Sequence, residues 1–220
     1  METLFLLRHG KTAWNDAMRV MGRREIPLNR TGILQAKRIA ALLPNLKIDA
    51  IYTSPLRRTV ETAQIVAKAN HVPIKIVPDL TEVAFGRWEG LVFAELIKDK
   101  TYQRFIRVPL KAAVPGGETI RDVQRRGLKA VRRALNEFPG GRLLLVSHGD
   151  VIRAIICHYA HLPLQEFRRL RIDTGSLTAL EVDGDWAEIK FLNYLRDGFS
   201  AGNQAFVGLK PKRPGGKLKG

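Results

Sequence analysis

Cysteine is almost missing from this chain: Cys157 is the single thiol in 220 residues. One thiol excludes an intramolecular disulfide framework and fits a reducing compartment. Six residues beyond it stands Pro163 rather than an arginine, so a cysteine-based anion loop is missing too. No apolar run approaches the roughly 20 residues a membrane span needs. The N-terminus has no basic region leading into a long apolar segment. The expectation is a soluble, cytoplasmic chain. No glycine-rich loop ends in Lys-Ser or Lys-Thr, which argues against a nucleotide P-loop. His71, His158 and His161 form no ligand cluster with carboxylates, and His158 and His161, which share a helix face, lack a third ligand, so neither a metal nor another cofactor is expected.

Acidic residues are also scarce, 21 Asp and Glu against 37 Lys and Arg, for a formal net charge of +16. Such a field attracts anions of any kind, from small phosphates to nucleic acid. No helix-turn-helix, zinc finger or aromatic RNA-binding strand accompanies it, which argues against a nucleic-acid partner. Part of the charge lies at the end of the chain, where residues 208–220 hold five basic and no acidic residues. Residues 198–220 are expected to form a basic, mobile tail. Residues 1–197 are expected to form one domain, because 45% hydrophobic content supports a single substantial core.

What the chain does have is a repeated strand ending. The apolar run Thr3 to Leu7 leads into Arg8-His9-Gly10, and the run Arg142 to Val146 leads into Ser147-His148-Gly149. Short apolar runs bounded by turn residues read as buried strands. Ala50 to Thr53 and Pro73 to Val77 read the same way, the latter near an edge because prolines flank it. Helical patterns cover Thr31 to Leu43 with Thr31 as N-cap, Ser54-Pro55 through about Ala69, Thr119 to Phe138, and Val151 to His161. Ser176 to Val182 and Trp186 to Leu192 form a hairpin around Asp183-Gly184-Asp185. Residues 91–117 read as a lid-like excursion over the active end of the sheet. The alternation predicts an α/β fold of three layers, α/β/α, around a mostly parallel central sheet.

Open parallel sheets bind ligands beyond the carboxyl ends of their strands. If the two His-Gly strands are neighbours, His9 and His148 share one pocket with Arg8. Asn15 follows on the first loop, and Arg57 opens a helix whose dipole favours an anion. Two imidazoles and guanidinium forks suit a phosphoryl group, whose charge spreads over three oxygens. A lone arginine in so basic a chain is ordinarily a solvated surface charge. The argument rests on joint placement at three successive strand ends.

Four motifs in order, Leu7-Arg8-His9-Gly10 with Trp14-Asn15, Ser54…Arg57…Thr62-Ala63, Leu80 to Gly90, and Ser147-His148-Gly149, resemble the histidine phosphatase superfamily. The likeness is to its phosphoglycerate mutase-like branch and runs from about Thr3 to Leu195. It implies that His9 attacks phosphorus and carries a phosphohistidine. Arg8, Arg57 and His148 would bind the phosphoryl oxygens, with Asn15 as a further contact. Glu82 would be the general acid and base, with Glu89 as the competing acid. The implied activity is metal-independent hydrolysis of small phosphomonoesters, α-ribazole phosphate or a sugar phosphate among them. The compact segment after the acid motif resembles the phosphatases more than the cofactor-dependent mutases, which remain the alternative. An anion- or nucleic-acid-binding protein is the reading from another class. Arg104, Arg107 and Lys111 are candidates for a second anionic group, and Phe93 and Phe105 for an apolar pocket or for core packing. The chain is expected to be a monomer or a homodimer.

Overall fold

The computed structural model describes residues 1–110, 112 and 114–195. Lys111, the Gly198 to Gly202 segment and the basic tail lie outside the described residues. The described elements include β1 (Glu2–Arg8), α1 (Ala13–Asp16), α2 (Arg30–Ala40), β2 (Ala50–Thr53), α3 (Arg57–Asn70) and β3 (Ile74–Ile76). They continue with α4 (Phe93–Leu96), α5 (Lys100–Arg107), α6 (Ile120–Glu137), β4 (Arg142–Ser147), α7 (Gly149–Tyr159), β5 (Leu177–Asp183) and β6 (Trp186–Tyr194).

The strands form one sheet in the order β3-β2-β4-β1-β5-β6. β3, β2, β4 and β1 run parallel, while β5 and β6 are antiparallel additions joined as a hairpin. The apolar runs are continuous because both sheet faces are covered. Along β1, Leu4 and Leu6 pack with α6 and α7, while Phe5 and Leu7 pack with α2 and α3. β4 alternates likewise, Leu143 and Leu145 to one face, Leu144 and Val146 to the other. This period-two division makes the three layers, and each buried leucine contributes about 1.5–3 kcal/mol of transfer free energy.

Local chemistry sets the helix ends. Thr119 and Asp122 form a reciprocal capping box at the start of α6. Helix α2 is capped two residues before the expected Thr31, because Asn29 accepts from the Gly32 N–H at 2.9 Å. Asn29 is itself fixed there, its N–H donating to Lys11 O and its amide to Asp16. Residues 91–117 pack inward along part of their length. Leu96, Tyr102 and Phe105 are buried with the α6–α7 core, whereas Arg104 and Arg107 on α5 face solvent.

Candidate active site

β1 and β4 are adjacent and in register, Arg8 opposite Ser147, so the two His-Gly pairs leave the sheet side by side. The His9 N–H donates to Ser147 O at 3.0 Å. The His9 and His148 ring centroids lie 5.3 Å apart, and both residues are fully buried. Gly10 is required at this corner: a Cβ there would meet Gly32 O at 2.4 Å, because the loop runs against the first turn of α2.

The His9 ring is held through Nδ1, which lies 2.8 Å from Gly10 O. A carbonyl only accepts, so Nδ1 carries the proton and the lone pair sits on Nε2. Burial first, then the Arg58 and Arg8 cations, hold the His9 pKa well below 6.5. The result is a neutral imidazole with a directed lone pair.

His148 is held the other way. Its Nε2 lies 2.8 Å from Ser54 Oγ, and that oxygen also accepts from the Leu56 N–H at 3.3 Å. Burial, with Arg58 as the next cause, keeps its pKa well below 6.5. His148 is therefore neutral. If the Ser54 hydroxyl donates to Nε2, Nδ1–H is the donor that His148 retains.

The basic residue beside the two rings is Arg58, not Arg57. Arg57 points outward, its Nε bonded to Glu61 Oε1 at 2.8 Å and its side chain 60% exposed. Arg58, one position on and turned inward, is fully buried. Its guanidinium donates to Arg24 O at 2.9 Å and Gly22 O at 2.8 Å. Burial lowers its pKa to about 10. Arg8 is lowered to about 10 by burial and by Arg153, and its Nη1 is fixed on Ile172 O at 2.7 Å. Thr62, one turn beyond Arg58, accepts from the Gly10 N–H and ties α3 to the first His-Gly loop.

Glu82 lines the cleft in front of this group. Its carboxyl accepts from the Val83 N–H at 2.9 Å, and burial together with the Asp150 carboxylate raises its pKa to about 7. Glu89 is used differently. It accepts from the Phe85 and Arg23 N–H groups and pairs with Arg24, clamping the loops behind the cleft. Asn15 also lines the cleft, and its Oδ1 is occupied by the Thr12 N–H and hydroxyl, which leaves its NH₂ to offer. Three guanidinium residues not singled out from sequence, Arg19, Arg153 and Arg168, stand on the walls. Arg104 and Arg107 do not, and of the two phenylalanines Phe93 lines the cleft while Phe105 is core.

Four buried nitrogens gathered here, Arg8 Nε, His9 Nε2, Arg58 Nε and His148 Nδ1, have no protein partner. Buried polar groups are nearly always paired, so a cluster of unpaired ones marks a receptor for an oxygen-rich anion. The profile of the histidine phosphatase superfamily (branch 1) matches residues 4–195. The chain belongs to that superfamily. It is similar to phosphoglycerate mutase-like protein 4 of Arabidopsis thaliana, 30% identical over 89% of this chain and 90% of the relative. The solved structure of Bacillus stearothermophilus YhfR superposes with a TM-score of 0.82 at 32% identity, over 91% of this chain and 98% of that one. The α-ribazole phosphatase of Shigella flexneri gives 0.79 at 27% identity, over 87% and 96%.

Proposed function

We propose that this protein hydrolyses small phosphomonoesters through a phosphohistidine on His9. The observation that carries the reading is the set of four unpartnered nitrogens on neighbouring buried residues, three of them donors once His148 holds its proton on Nδ1. His9 Nε2 attacks phosphorus, and the ester P–O bond breaks as the N–P bond forms. Arg8, Arg58 and His148 bind the equatorial oxygens, with the Asn15 NH₂ as a further contact. The leaving alkoxide takes the Glu82 proton. Water then attacks the phosphohistidine, Glu82 takes back a proton, and the N–P bond breaks to release phosphate and neutral His9.

A carboxyl with its pKa near 7 suits both halves of that cycle, because it donates and accepts at neutral pH. The guanidinium groups offset phosphoryl charge directly, so the reaction is written without a metal. Among the described residues no group of three or more His, Cys, Asp and Glu could hold one. Among them, too, no helix is long and apolar enough to cross a membrane, and the reading remains a cytoplasmic enzyme. The cleft opens to solvent beside exposed Arg19, which gives water access to the intermediate and favours hydrolysis over phosphoryl return to a second hydroxyl. The test is a screen of phosphomonoesters in excess chelator, with 3-phosphoglycerate plus 2,3-bisphosphoglycerate as the mutase assay. Phosphate release is expected; isomerisation without release, or no turnover of any ester, would overturn the reading.

A further inference from the structure

The proposed acid stands on irregular backbone. Residues 81–85 belong to neither helix nor strand, so no ladder of backbone hydrogen bonds fixes where Glu82 points. Side chains fix it. Arg126, in the second turn of α6, uses all five of its N–H groups around this segment. Nη1 donates to Asp79 O at 2.9 Å and to Thr81 O, and Nη2 donates to Glu82 O at 3.2 Å. The remaining two, on Nε and Nη2, go to the two Glu118 carboxylate oxygens at 3.0 Å each. Glu118 closes the frame from the other side. Its carboxylate accepts from the Ala84 N–H, and its own N–H donates to Ala84 O, both at 3.0 Å. Gly117 permits that approach, since a Cβ there would meet Ala84 O at 2.0 Å. Ser147 Oγ donates to Leu80 O at 2.8 Å, and Arg23 reaches Glu118 at 3.1 Å and Glu82 O at 3.4 Å. Neither Arg126 nor Glu118 lines the cleft.

We propose that Arg126, braced by Glu118, is a positioning residue for the reaction: it holds the backbone of Glu82 so that the carboxyl stays in the cleft, within reach of the leaving oxygen. This rests on the phosphomonoesterase reading and extends it to residues outside the cleft. A planar fork with five donors spans three carbonyls and a carboxylate at once, which an ammonium with three donors cannot do. The strap also keeps the carboxyl partly desolvated. Around that carboxyl stand Asp150 on α7, Arg8 at the end of β1 and Arg58 on α3, with Arg126 and Arg23 on the Glu82 carbonyl. Burial first, then Asp150, raise the Glu82 pKa to about 7. A loosened segment hydrates the carboxyl and draws it away from Asp150, so its acid form is lost at lower pH.

The test measures kcat/KM against pH for glycerol 3-phosphate, whose alcohol leaves poorly, and for p-nitrophenyl phosphate, whose phenol leaves without a proton. Arg126→Lys keeps the charge beside Glu118 and loses the fork. It is expected to lower kcat/KM for glycerol 3-phosphate by roughly tenfold to a hundredfold and to move the alkaline limb below pH 7. For p-nitrophenyl phosphate kcat/KM should stay within about twofold, while kcat falls because the second half-reaction still needs the Glu82 base. In a Glu82→Gln background the same substitution should cost no further activity, because Arg126 acts through Glu82. Glu118→Gln keeps the shape of the brace and weakens its hold on Arg126. It should show the same pattern at smaller size, and it decides the question if circular dichroism shows that Arg126→Lys does not fold. Equal proportional losses on both esters, an unmoved alkaline limb, or losses that multiply in the double variant would overturn the inference and leave the phosphomonoesterase reading intact. No turnover of either ester by the native enzyme would overturn that reading and the inference with it.

Discussion

The two His-Gly strand ends look alike in sequence, yet the chain around them treats the imidazoles in opposite ways. At the end of β1 a backbone carbonyl accepts a hydrogen bond from Nδ1–H and leaves the lone pair on Nε2. At the end of β4 a serine hydroxyl engages Nε2 and leaves Nδ1 without a protein partner. Both rings are neutral for the same reason, burial among arginines. In the proposed reaction, the ring nitrogen that is pinned, and the group that pins it, separates a nucleophile from a hydrogen-bond donor. Motif identity alone does not.

The sharpest way to break that comparison is to exchange the losses. His9→Gln is expected to reduce phosphate release to background, because no other group can carry the phosphoryl. His148→Gln should cost roughly a hundred- to a thousandfold in kcat, as removal of one preorganised donor does. Equal residual activities in the two variants, measured by steady-state phosphate release, would erase the distinction.

The adjacent arginines are the next test. Arg58→Ala is expected to lower kcat/KM by about a hundredfold or more, while Arg57→Ala, which loses only an exposed pair with Glu61, should stay within about twofold. Circular dichroism melts separate folding from function, since Arg58 also ties down two carbonyls. The reverse ranking would return the role to Arg57.

Glu82 gives the pH dependence. In the proposed cycle its protonated form is the acid, and with a pKa near 7 that form is lost as pH rises through 7. Rates of kcat/KM for esters with poor leaving groups should therefore fall above about pH 7, while His9, titrating well below 6.5, stays neutral throughout. The alkaline limb should be weak for p-nitrophenyl phosphate, whose leaving group needs no proton, and absent in Glu82→Gln. An unchanged alkaline limb in that variant would move the acid elsewhere. The smallest effect is expected at Ser54: Ser54→Ala should cost about tenfold and shift the ¹⁵N resonances of His148 away from a single Nδ1–H tautomer. Ser54→Thr should restore both.

Much of this could be read from the residues. The apolar runs marked β1 and β4 because strands covered on both faces need no polar alternation, and the prolines around β3 placed it at the edge. The pocket's two imidazoles and Arg8 followed from the positions of those strand ends. Arg57 stands out in the sequence because it opens a helix, but the faces of that helix turn Arg58 inward and Arg57 outward. Glu61, four residues after Arg57, was the available signal: an i,i+4 pair claims Arg57 for the surface and leaves Arg58 for the interior. The Asn29 cap was ambiguous locally, since Asn29 and Thr31 are both good caps, and contacts with Lys11 and Asp16 decide between them. Arg168 had no signal of its own. It sits in a short 3-10 turn, Leu164–Arg169, without a helical period, and only the tertiary fold sets it over Phe105.

The most direct measurement is acid-free rapid quenching of the enzyme with a ³²P-labelled ester, followed by peptide mapping of the trapped protein. The account requires acid-labile, base-stable label on His9 at Nε2, formed and lost at rates compatible with turnover. Label on His148, label on another residue, or turnover with no labelled protein at any quench time would contradict it.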